Sequence, residues 1–507
     1  MHRSRSPLIR LLVAVTVGLG AWLPAAPARA LEEIVIQIPL LETSFTVRVS
    51  ELTDPDSLQS GNSDLAQLDR ASGGAVARQL LALVRQPVPL SLKHIADGSV
   101  GSPLLEQAML VLSSLGTVEG RGPDLTGETL RAVLKQASSN GDPTVLSLIQ
   151  AIPGRRVTVN LGQATRLLNR MISQRQQAQR LIASTASLPV AAPLPRPEPQ
   201  PTIRTVSLPV SHRPEPLQMT VIEPQRGAQG RLVLISHGLW DQPTSFEGWG
   251  QLLAARGYVV ILPRHPGSDS AQQRAVLSGQ VPPPGPEELS LRPRDLRAVL
   301  DGVSQLGLRR PVDARRVVLL GHSWGATTAL QVAGVRPMAT DLLKRCAQLD
   351  DPERNLSWTL QCSWLRGVDQ AAVSDGRVIA VGAVSPPVSL LFPRGAGVDV
   401  SARVLLVSGS HDWVVPPDPE ALVPMRWGRR LGNQLVLVSG GDHFNLRPGT
   451  RSDGGVLGPL LLAWTDAAFR AGEAVRPSVE ASPLLPPGAW GSAVLPLTDL
   501  TAALTEP

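Results

Sequence analysis

The chain has 507 residues, of which 43% are hydrophobic and 18% charged, as in ordinary globular proteins. This length exceeds one ordinary hydrophobic core and predicts two or three domains. The formal net charge is +6, but four arginines lie in the first thirty residues, so the remainder carries only +2. No dense lysine and arginine stripe is visible to track phosphates, which argues against nucleic-acid binding.

The first thirty residues have the three parts of a secretory signal. Three arginines form a positively charged start, an apolar run covers residues 11–22, and Ala28-Arg29-Ala30 matches an A-x-A cleavage site. An uncleaved membrane anchor is the alternative, but the apolar run is short for a bilayer span of about 20 residues. We therefore expect 1–30 to be a signal peptide and the protein to be exported, to the periplasm or the extracellular space.

Residues 31–184 are predicted to form a smaller, mainly helical α+β domain. Two β-rich runs at its start flank a polar break, which indicates a hairpin, and the run at 155–161 is expected to rejoin it. Helical patterns cover 104–116 and 128–139. The stretch 162–184 is predicted to be an amphipathic helix whose polar side is rich in arginine. Such a helix suits peripheral contact with an anionic membrane, although a solvated face is the commoner explanation.

A proline-rich stretch, 185–205, is expected to be a semi-rigid linker. Over 206–472 short apolar runs alternate with helix-length segments, which predicts an α/β domain with a mostly parallel sheet and helices on both faces. Runs near 203–210 and 217–223 would provide an antiparallel start. The remaining strand-like runs are 231–237, 258–263, 315–322, 377–384, 402–409 and 434–440. The Pro/Gly-rich tail, 473–507, is predicted to be loosely ordered.

The strongest local motif is Gly321-His322-Ser323-Trp324-Gly325, which matches G-x-S-x-G. An apolar strand precedes it and a small-residue helix start follows it. This context is typical of a sharp strand-to-helix turn that lifts a serine hydroxyl out of the sheet, with glycines where a side chain would collide. We predict that Ser323 is a catalytic nucleophile; a purely structural glycine turn is the alternative.

A serine hydroxyl needs a general base, and the chain has eight histidines. His443 follows the last strand-like run in a turn that could reach back over Ser323, so it is the predicted base. A surface turn histidine is the alternative. His237, in a His-Gly pair after an earlier strand, is interpreted as structural.

The imidazole in turn needs a carboxylate that fixes its tautomer. Asp412 directly follows a strand and precedes His443, which gives the chain order serine, aspartate, histidine that is expected for this kind of turn. A plain turn aspartate is the alternative. Asp442 is adjacent to the histidine and poorly placed, and Glu420 is the reserve.

Two backbone N–H groups are needed to hold a tetrahedral oxyanion. We assign them to Trp324, directly after the nucleophile, and to Leu239, with Gly238 allowing close approach of the backbone. No H-E-x-x-H, paired C-x-x-C, phosphate-binding or dinucleotide-binding pattern is present. The sequence therefore predicts neither a cofactor nor a metal, and the spacing of His237, His265 and Asp269 does not require one.

The two cysteines, Cys346 and Cys362, are predicted to form a disulfide, because the signal segment directs the chain to an oxidising compartment. Two free buried thiols are the alternative. Both lie in the segment 341–375, with Trp358 and Trp364. We expect this segment to be a cap that shapes an acyl pocket.

These motifs resemble the platelet-activating-factor acetylhydrolase and dienelactone-hydrolase-like branch of the α/β-hydrolases. Residues 31–184 in turn resemble the domain of unknown function that precedes such hydrolases in cyanobacterial proteins. The motifs that carry the likeness are Ser236-His237-Gly238-Leu239, His265-Pro266-Gly267-Ser268, Arg292-Pro293-Arg294-Asp295 and the run from Gly321 to Thr327. The resemblance implies metal-independent hydrolysis of carboxylic esters, including short acyl groups on lipids, by Ser323, Asp412 and His443. The acetylhydrolases proper place their acid one strand earlier, where this chain has no carboxylate, and this departure bears on phospholipid specificity.

Three other interpretations stay open at this point. A peptidase on the same fold would use the same triad, and a non-catalytic envelope-binding protein would use none. In the third, the N-terminal domain is the main functional part, as a surface anchor for the hydrolase. The expected partner is a small ester or a lipid substrate.

Overall fold

The computed structural model describes residues 31–38, 43–87, 98–119, 126–139, 143–193, 199–392, 396–397, 400–428, 432–471, 482–485 and 488–504. The predicted signal segment lies outside the described residues, as do parts of the linker and of the tail. The chain divides into two compact units. Of the described residues, the first contains those from 31 to 87 together with 115–119, 129–139 and 143–162, and the second contains 98–114, 126–128 and those from 163 to 504.

The described strands fall into two sheets. Four belong to the first unit: β1 (Glu33–Ile38), β2 (Thr43–Arg48), β3 (Gly116–Val118) and β4 (Arg156–Asn160). Nine belong to the second: β5 (Thr202–Leu208), β6 (Leu217–Glu223), β7 (Leu232–Ser236), β8 (Val259–Pro263), β9 (Val317–His322), β10 (Val378–Val384), β11 (Arg403–Gly409), β12 (Gln434–Val438) and β13 (Leu497–Asp499).

The described α-helices are spread over both units. The first seven are α1 (Pro55–Ser60), α2 (Asp64–Ala71), α3 (Ala75–Val84), α4 (Pro103–Ser113), α5 (Gly127–Ala137), α6 (Val145–Ala151) and α7 (Leu161–Ser184). The others are α8 (Glu247–Ala254), α9 (Ser270–Leu277), α10 (Glu288–Asp301), α11 (Trp324–Val332), α12 (Ala339–Cys346), α13 (Ser357–Ser363), α14 (Pro417–Glu420), α15 (Leu422–Gly428) and α16 (Gly458–Arg470). None of these helices is long and apolar enough to cross a membrane.

The first unit is a small sheet with short helices. Its strand order is β2-β1-β4-β3, with β1 antiparallel to β2 and parallel to β4. The hairpin and the rejoining strand that the sequence pattern predicts are therefore both present. Local capping sets the helix starts: the Ser63 side chain accepts a hydrogen bond from Ala66 N at the start of α2, which satisfies an otherwise unpaired donor.

The second unit is built on a nine-stranded sheet of order β13-β12-β11-β10-β9-β7-β8-β6-β5. Its six central strands, β7 to β12, run parallel, and β5 and β6 pair antiparallel at one edge. Both faces are covered, because alternate residues of β7 and β9 enter two separate apolar cores. Helices α10 and α11 contribute to one core, and α8 and α16 to the other. This arrangement confirms the predicted α/β fold class.

The tail departs from the sequence-based expectation. Residues 497–499 form β13, which pairs antiparallel with β12 at the sheet edge, and Leu497 and Leu500 are fully buried. The prediction of a loosely ordered tail is thus wrong for 488–504. Fully burying a leucine side chain contributes about 1.5–3 kcal/mol, and these leucines find that burial only against a distant strand, which local composition does not reveal.

Helix α7 belongs to the second unit from Gln163 onward, although its sequence neighbours suggest the N-terminal domain. The Arg170 side chain donates to the carbonyl oxygens of Leu349 and Asp350. Gln174 donates one turn later to the Arg354 carbonyl oxygen, and Ala178 is fully buried in the core. The side of α7 that carries Arg170, Gln174 and Ala178 therefore packs against the rest of the second unit.

Candidate active site

Ser323 sits on the turn between β9 and α11, in a strained backbone conformation. Its φ is 53° and its ψ is −128°, a region that costs a non-glycine residue of order 1–3 kcal/mol. The Ser323 backbone N–H donates to the Val384 carbonyl oxygen at 2.8 Å, which ties the turn to the neighbouring strand β10. The conformation lifts the side chain out of the β9 register at the carboxyl edge of the sheet.

The two glycines of the motif are required by close backbone contacts. A Cβ atom at Gly325 would lie 2.0 Å from the Ser236 carbonyl oxygen, and one at Gly321 would lie 2.4 Å from the Gly325 carbonyl carbon. These distances are far below van der Waals contact, so no other residue fits without moving the backbone. Glycine is therefore the residue that both positions require.

His443 and Asp412 lie in direct contact. His443 Nδ1 is 2.9 Å from Asp412 Oδ2, and the aspartate is fully buried. The other carboxylate oxygen, Oδ1, accepts hydrogen bonds from the backbone N–H groups of Val414 (3.0 Å) and Val415 (2.8 Å). With Nδ1 donating to the carboxylate, Nε2 is the ring nitrogen left to accept a proton.

The residue before the serine holds the histidine segment against the turn. His322 Nε2 lies 2.8 Å from the His443 carbonyl oxygen, and the two rings are 4.8 Å apart. Burial, and next the neighbouring His443, lowers the pKa of His322 well below its ordinary value. His322 is therefore neutral and donates from Nε2, a role that the sequence analysis did not assign to it.

The segment after β7 runs beside the serine. A Cβ atom at Gly238 would lie 3.2 Å from Ser323 Cβ, so glycine permits this close approach. Within the described ranges, neither the Leu239 nor the Trp324 backbone N–H has a hydrogen-bond acceptor. Both N–H groups are free to bind a ligand oxygen.

A buried network of polar side chains, which starts at His237, packs against the segment after β7. His237 Nδ1 lies 2.8 Å from the Gly238 carbonyl oxygen, and His237 Nε2 accepts from the His265 backbone N–H at 3.1 Å. Burial, and next the nearby His265 and Arg292, lowers the pKa of His237 well below its ordinary value. His237 is thus neutral, and both of its ring nitrogens have backbone partners.

The network continues through His265 to Asp295 on α10. His265 Nδ1 is 2.8 Å from Asp295 Oδ2, and His265 Nε2 is 2.9 Å from Ser236 Oγ. Burial, followed by the charge of Arg292, lowers the pKa of His265 to about 4. Asp269 instead caps α9 and pairs with Arg264. These residues serve separate contacts, and no group of metal-ligating side chains occurs among the described residues.

Glu420 and Asp442, the two other carboxylates that the sequence offers as partners for His443, have different contacts. Glu420 is fully buried and accepts hydrogen bonds from Asn355, Ser357 and the Val388 N–H. Asp442 accepts from the N–H groups of its own turn. Neither contacts the His443 ring, so Asp412 is the carboxylate that the structure brings to it.

The segment 341–375 packs over the turn that carries Ser323. It contains α13 and all but the first two residues of α12, and the disulfide Cys346–Cys362 joins the two helices with a Cα–Cα distance of 5.7 Å. The Trp364 ring lies 4.9 Å from the Trp324 ring, and Leu239 packs against the same apolar cluster. This cap segment is therefore in contact with both residues whose N–H groups are free.

A cavity of about 540 Å³ occurs elsewhere in the second unit. Its lining is mainly apolar and includes Leu330, Val404 and Met425. Ser323, Asp412 and His443 do not line it, so we do not assign it to the candidate active site.

One comparison with known proteins covers this site. The family model described as the alpha/beta hydrolase family matches residues 232–501, more than half of the chain. The match extends from β7 to the end of β13 and includes every candidate catalytic residue. A comparison with curated proteins finds no significant match.

Proposed function

This chain belongs to the α/β-hydrolase family, and we propose that it is an exported serine hydrolase that cleaves carboxylic esters through an acyl-enzyme. The observation that carries the proposal is the contact of His443 with buried Asp412, next to the strained turn at Ser323. Family membership supports hydrolase activity in general. The ester substrate and the residue roles are our inference from the geometry.

In the proposed mechanism Ser323 Oγ attacks the acyl carbon while His443 Nε2 takes its proton. Asp412 holds the imidazole in the correct tautomer and stabilises the imidazolium that forms. His443 then returns the proton to the leaving alcohol, and the acyl group stays on the serine. Water repeats the sequence with the same base and releases the acid.

The developing oxyanion is held by the N–H groups of Leu239 and Trp324. Both are free in the described structure and flank Ser323, and Trp324 starts helix α11, whose dipole favours negative charge at that end. Such preorganised donors usually provide the largest single part of catalysis in acyl transfer.

Short acyl esters, including those on lipids, are the proposed substrate class. The proposal draws on the resemblance to the acetylhydrolase and dienelactone-hydrolase-like branch and on the apolar cap segment beside Leu239. Export is proposed from the signal-like start, and a disulfide is typical of an oxidising compartment. A peptidase of the same mechanism is the rival, and amide-versus-ester kinetics separate the two.

The test is hydrolysis of p-nitrophenyl esters of graded acyl length by residues 31–507, beside Ser323→Ala. We expect activity that disappears in the variant, and the best acyl length will distinguish acetyl-type from lipase-type substrates. Equal inactivity of both proteins, with no labelling of Ser323 by a fluorophosphonate, would contradict the proposal. It would favour the rival hypothesis of a non-catalytic envelope-binding protein.

A further inference from the structure

Arg292, near the start of α10, is a fully buried cation directly behind the candidate oxyanion site. Its Nη2 donates to the His237 carbonyl oxygen and its Nη1 donates to Ser268 Oγ at 3.1 Å. The guanidinium carbon also lies 4.8 Å from the centre of the Trp324 ring.

Through these contacts one side chain touches both segments that present the free N–H groups. The His237 carbonyl belongs to the peptide that leads into Gly238 and Leu239, so the hydrogen bond fixes the course of that segment. The cation–π contact does the same for the residue on the other side, Trp324. A planar guanidinium can satisfy both at once, which an ammonium cannot.

The charge of Arg292 has no direct partner in the described part of the chain. No carboxylate lies within salt-bridge distance of it, and its Nε has no acceptor. The two nearby acids, Glu288 and Asp295, form their ion pairs with Arg213 instead. Glu288 and Asp295 attract the charge of Arg292 without touching it, so the direct contacts of its guanidinium are those with His237, Ser268 and Trp324.

The protonation states of Arg292 and Asp295 are set by burial and by their neighbours. Burial lowers the pKa of Arg292 to about 9, against the attraction of Glu288 and Asp295, so the guanidinium remains charged at neutral pH. Burial by itself would raise the pKa of Asp295, but hydrogen bonds from His212, His265 and Arg213 hold it below its ordinary value. Arg213 and Arg292 together match the two acids in charge, but only Arg213 contacts them directly, so the direct contacts of the Arg292 guanidinium are with the segments beside Ser323.

We propose that Arg292 is a positioning residue of the oxyanion hole, which aligns the Leu239 and Trp324 segments and adds positive potential behind them. The inference rests on the proposed serine mechanism and deepens it. A residue of this kind acts on the transition state and leaves the ground-state substrate almost untouched, so its loss affects kcat more than KM.

The test compares matched pairs of variants at two buried arginines of the same network. Arg292→Lys and Arg292→Met are measured beside Arg213→Lys and Arg213→Met, since Arg213 contacts the acids but neither oxyanion segment. The readouts are kcat and KM for p-nitrophenyl acetate, the Ki of an alkyl boronic acid that mimics the tetrahedral intermediate, and the melting temperature.

We expect Arg292→Met to lower kcat by about 10²-fold, in the range seen for loss of an oxyanion-hole donor, with KM changed less than threefold. The boronic acid Ki should rise in parallel. Arg292→Lys keeps a charge but loses the planar contacts, and we expect about a tenfold fall in kcat. The Arg213 variants should lower the melting temperature and leave the kcat of the folded protein within about threefold.

Two outcomes would overturn the inference. In the first, folded Arg292→Lys and Arg292→Met retain wild-type kcat and boronic acid Ki. In the second, the Arg213 variants lose as much kcat as those of Arg292, which would make the network merely structural. Persistence of activity in Ser323→Ala is a different result, because it would contradict the serine mechanism itself.

Discussion

At the scale of single residues, the turn around Ser323 has the strictest steric limits in the candidate site. The serine occupies a backbone conformation with positive φ, and the glycines on either side approach other backbone atoms too closely for a Cβ atom. The strain is concentrated where the nucleophile is proposed, as is usual for functional turns.

Replacing Gly325 by alanine should therefore disturb both stability and activity. The new Cβ would lie 2.0 Å from a backbone oxygen, and overpacking of this kind costs about 1–3 kcal/mol. We expect a lower melting temperature and a loss of esterase activity for Gly325→Ala. Gly376→Ala is the matched control, because nothing lies within 4 Å of its Cβ position; similar losses in both variants would contradict the steric argument.

A second prediction at the residue scale concerns which carboxylate, Asp412 or Glu420, assists His443. Asp412→Asn should lower kcat by about 10³–10⁴-fold, because the amide no longer fixes the productive tautomer of His443. Glu420→Gln places an amide among hydrogen-bond donors, so it should lower stability while the folded protein keeps its kcat. Steady-state kinetics on folded samples check both, and the reverse ranking would move the acid role to Glu420.

At the scale of elements, the cap segment and the loops after β11 and β12 surround the site. The disulfide joins α12 to α13, and Trp364, directly after α13, packs against the turn residue Trp324.

The double variant Cys346→Ser, Cys362→Ser should be less stable than the parent. Closing a loop of this size contributes up to about 3 kcal/mol in the chain-entropy model. We expect a fall of several degrees in the melting temperature under oxidising conditions. The difference should vanish when both proteins are measured in reductant, and its persistence there would assign the effect to packing of the sulfur atoms.

The two loops that carry Asp412 and His443 each present an exposed aromatic side chain. Trp413 follows Asp412 and is 47% exposed, and Phe444 follows His443 and is 52% exposed. These are the only aromatic side chains of the described residues among the exposed large hydrophobics. We expect Trp413→Ala and Phe444→Ala to raise KM for p-nitrophenyl octanoate at least threefold, with acetate little affected. Leu277→Ala, at an exposed apolar residue on α9 outside these two loops, is the control. Equal effects on the KM of both esters would argue against acyl-chain contact.

At the scale of the whole molecule, the second unit buries several histidines in neutral form. Burial is the first cause of the lowered pKa of His237, His265 and His322. In the unfolded chain each would bind a proton below a pH of about 6.5. In the folded protein these histidines bind a proton only at a much lower pH, because burial lowers their pKa, to about 4 for His265.

Stability should therefore fall as the pH drops from 6.5 toward 4, because the unfolded state binds more protons in that window. Each fully affected histidine contributes up to about 1.4 kcal/mol per pH unit, and above pH 6.5 its contribution is complete and constant. Melting temperatures between pH 7.5 and 4.5 check this. His265→Asn should show a shallower fall, and a melting temperature independent of pH would contradict the assignment of buried neutral histidines.

The sequence by itself determined the features that depend on local pattern. Apolar runs of strand length separated by helix-length segments predict the parallel core of the second unit, and the β-rich runs near residue 31 predict the hairpin of the first. The G-x-S-x-G motif and its glycines are visible in the same way, because they depend on neighbours in the chain. The order Ser323, Asp412, His443 is read from the strand-like run that precedes each residue.

Only the tertiary structure decided which distant segments meet. It adds β13 to the sheet edge, assigns α7 to the second unit and separates Asp412 from Glu420 by their partners. It also places Arg292 behind Gly238 and Trp324, where the sequence offers only a family motif. These outcomes depend on burial and on contacts between residues far apart in the chain, and local periodicity carries no information about either.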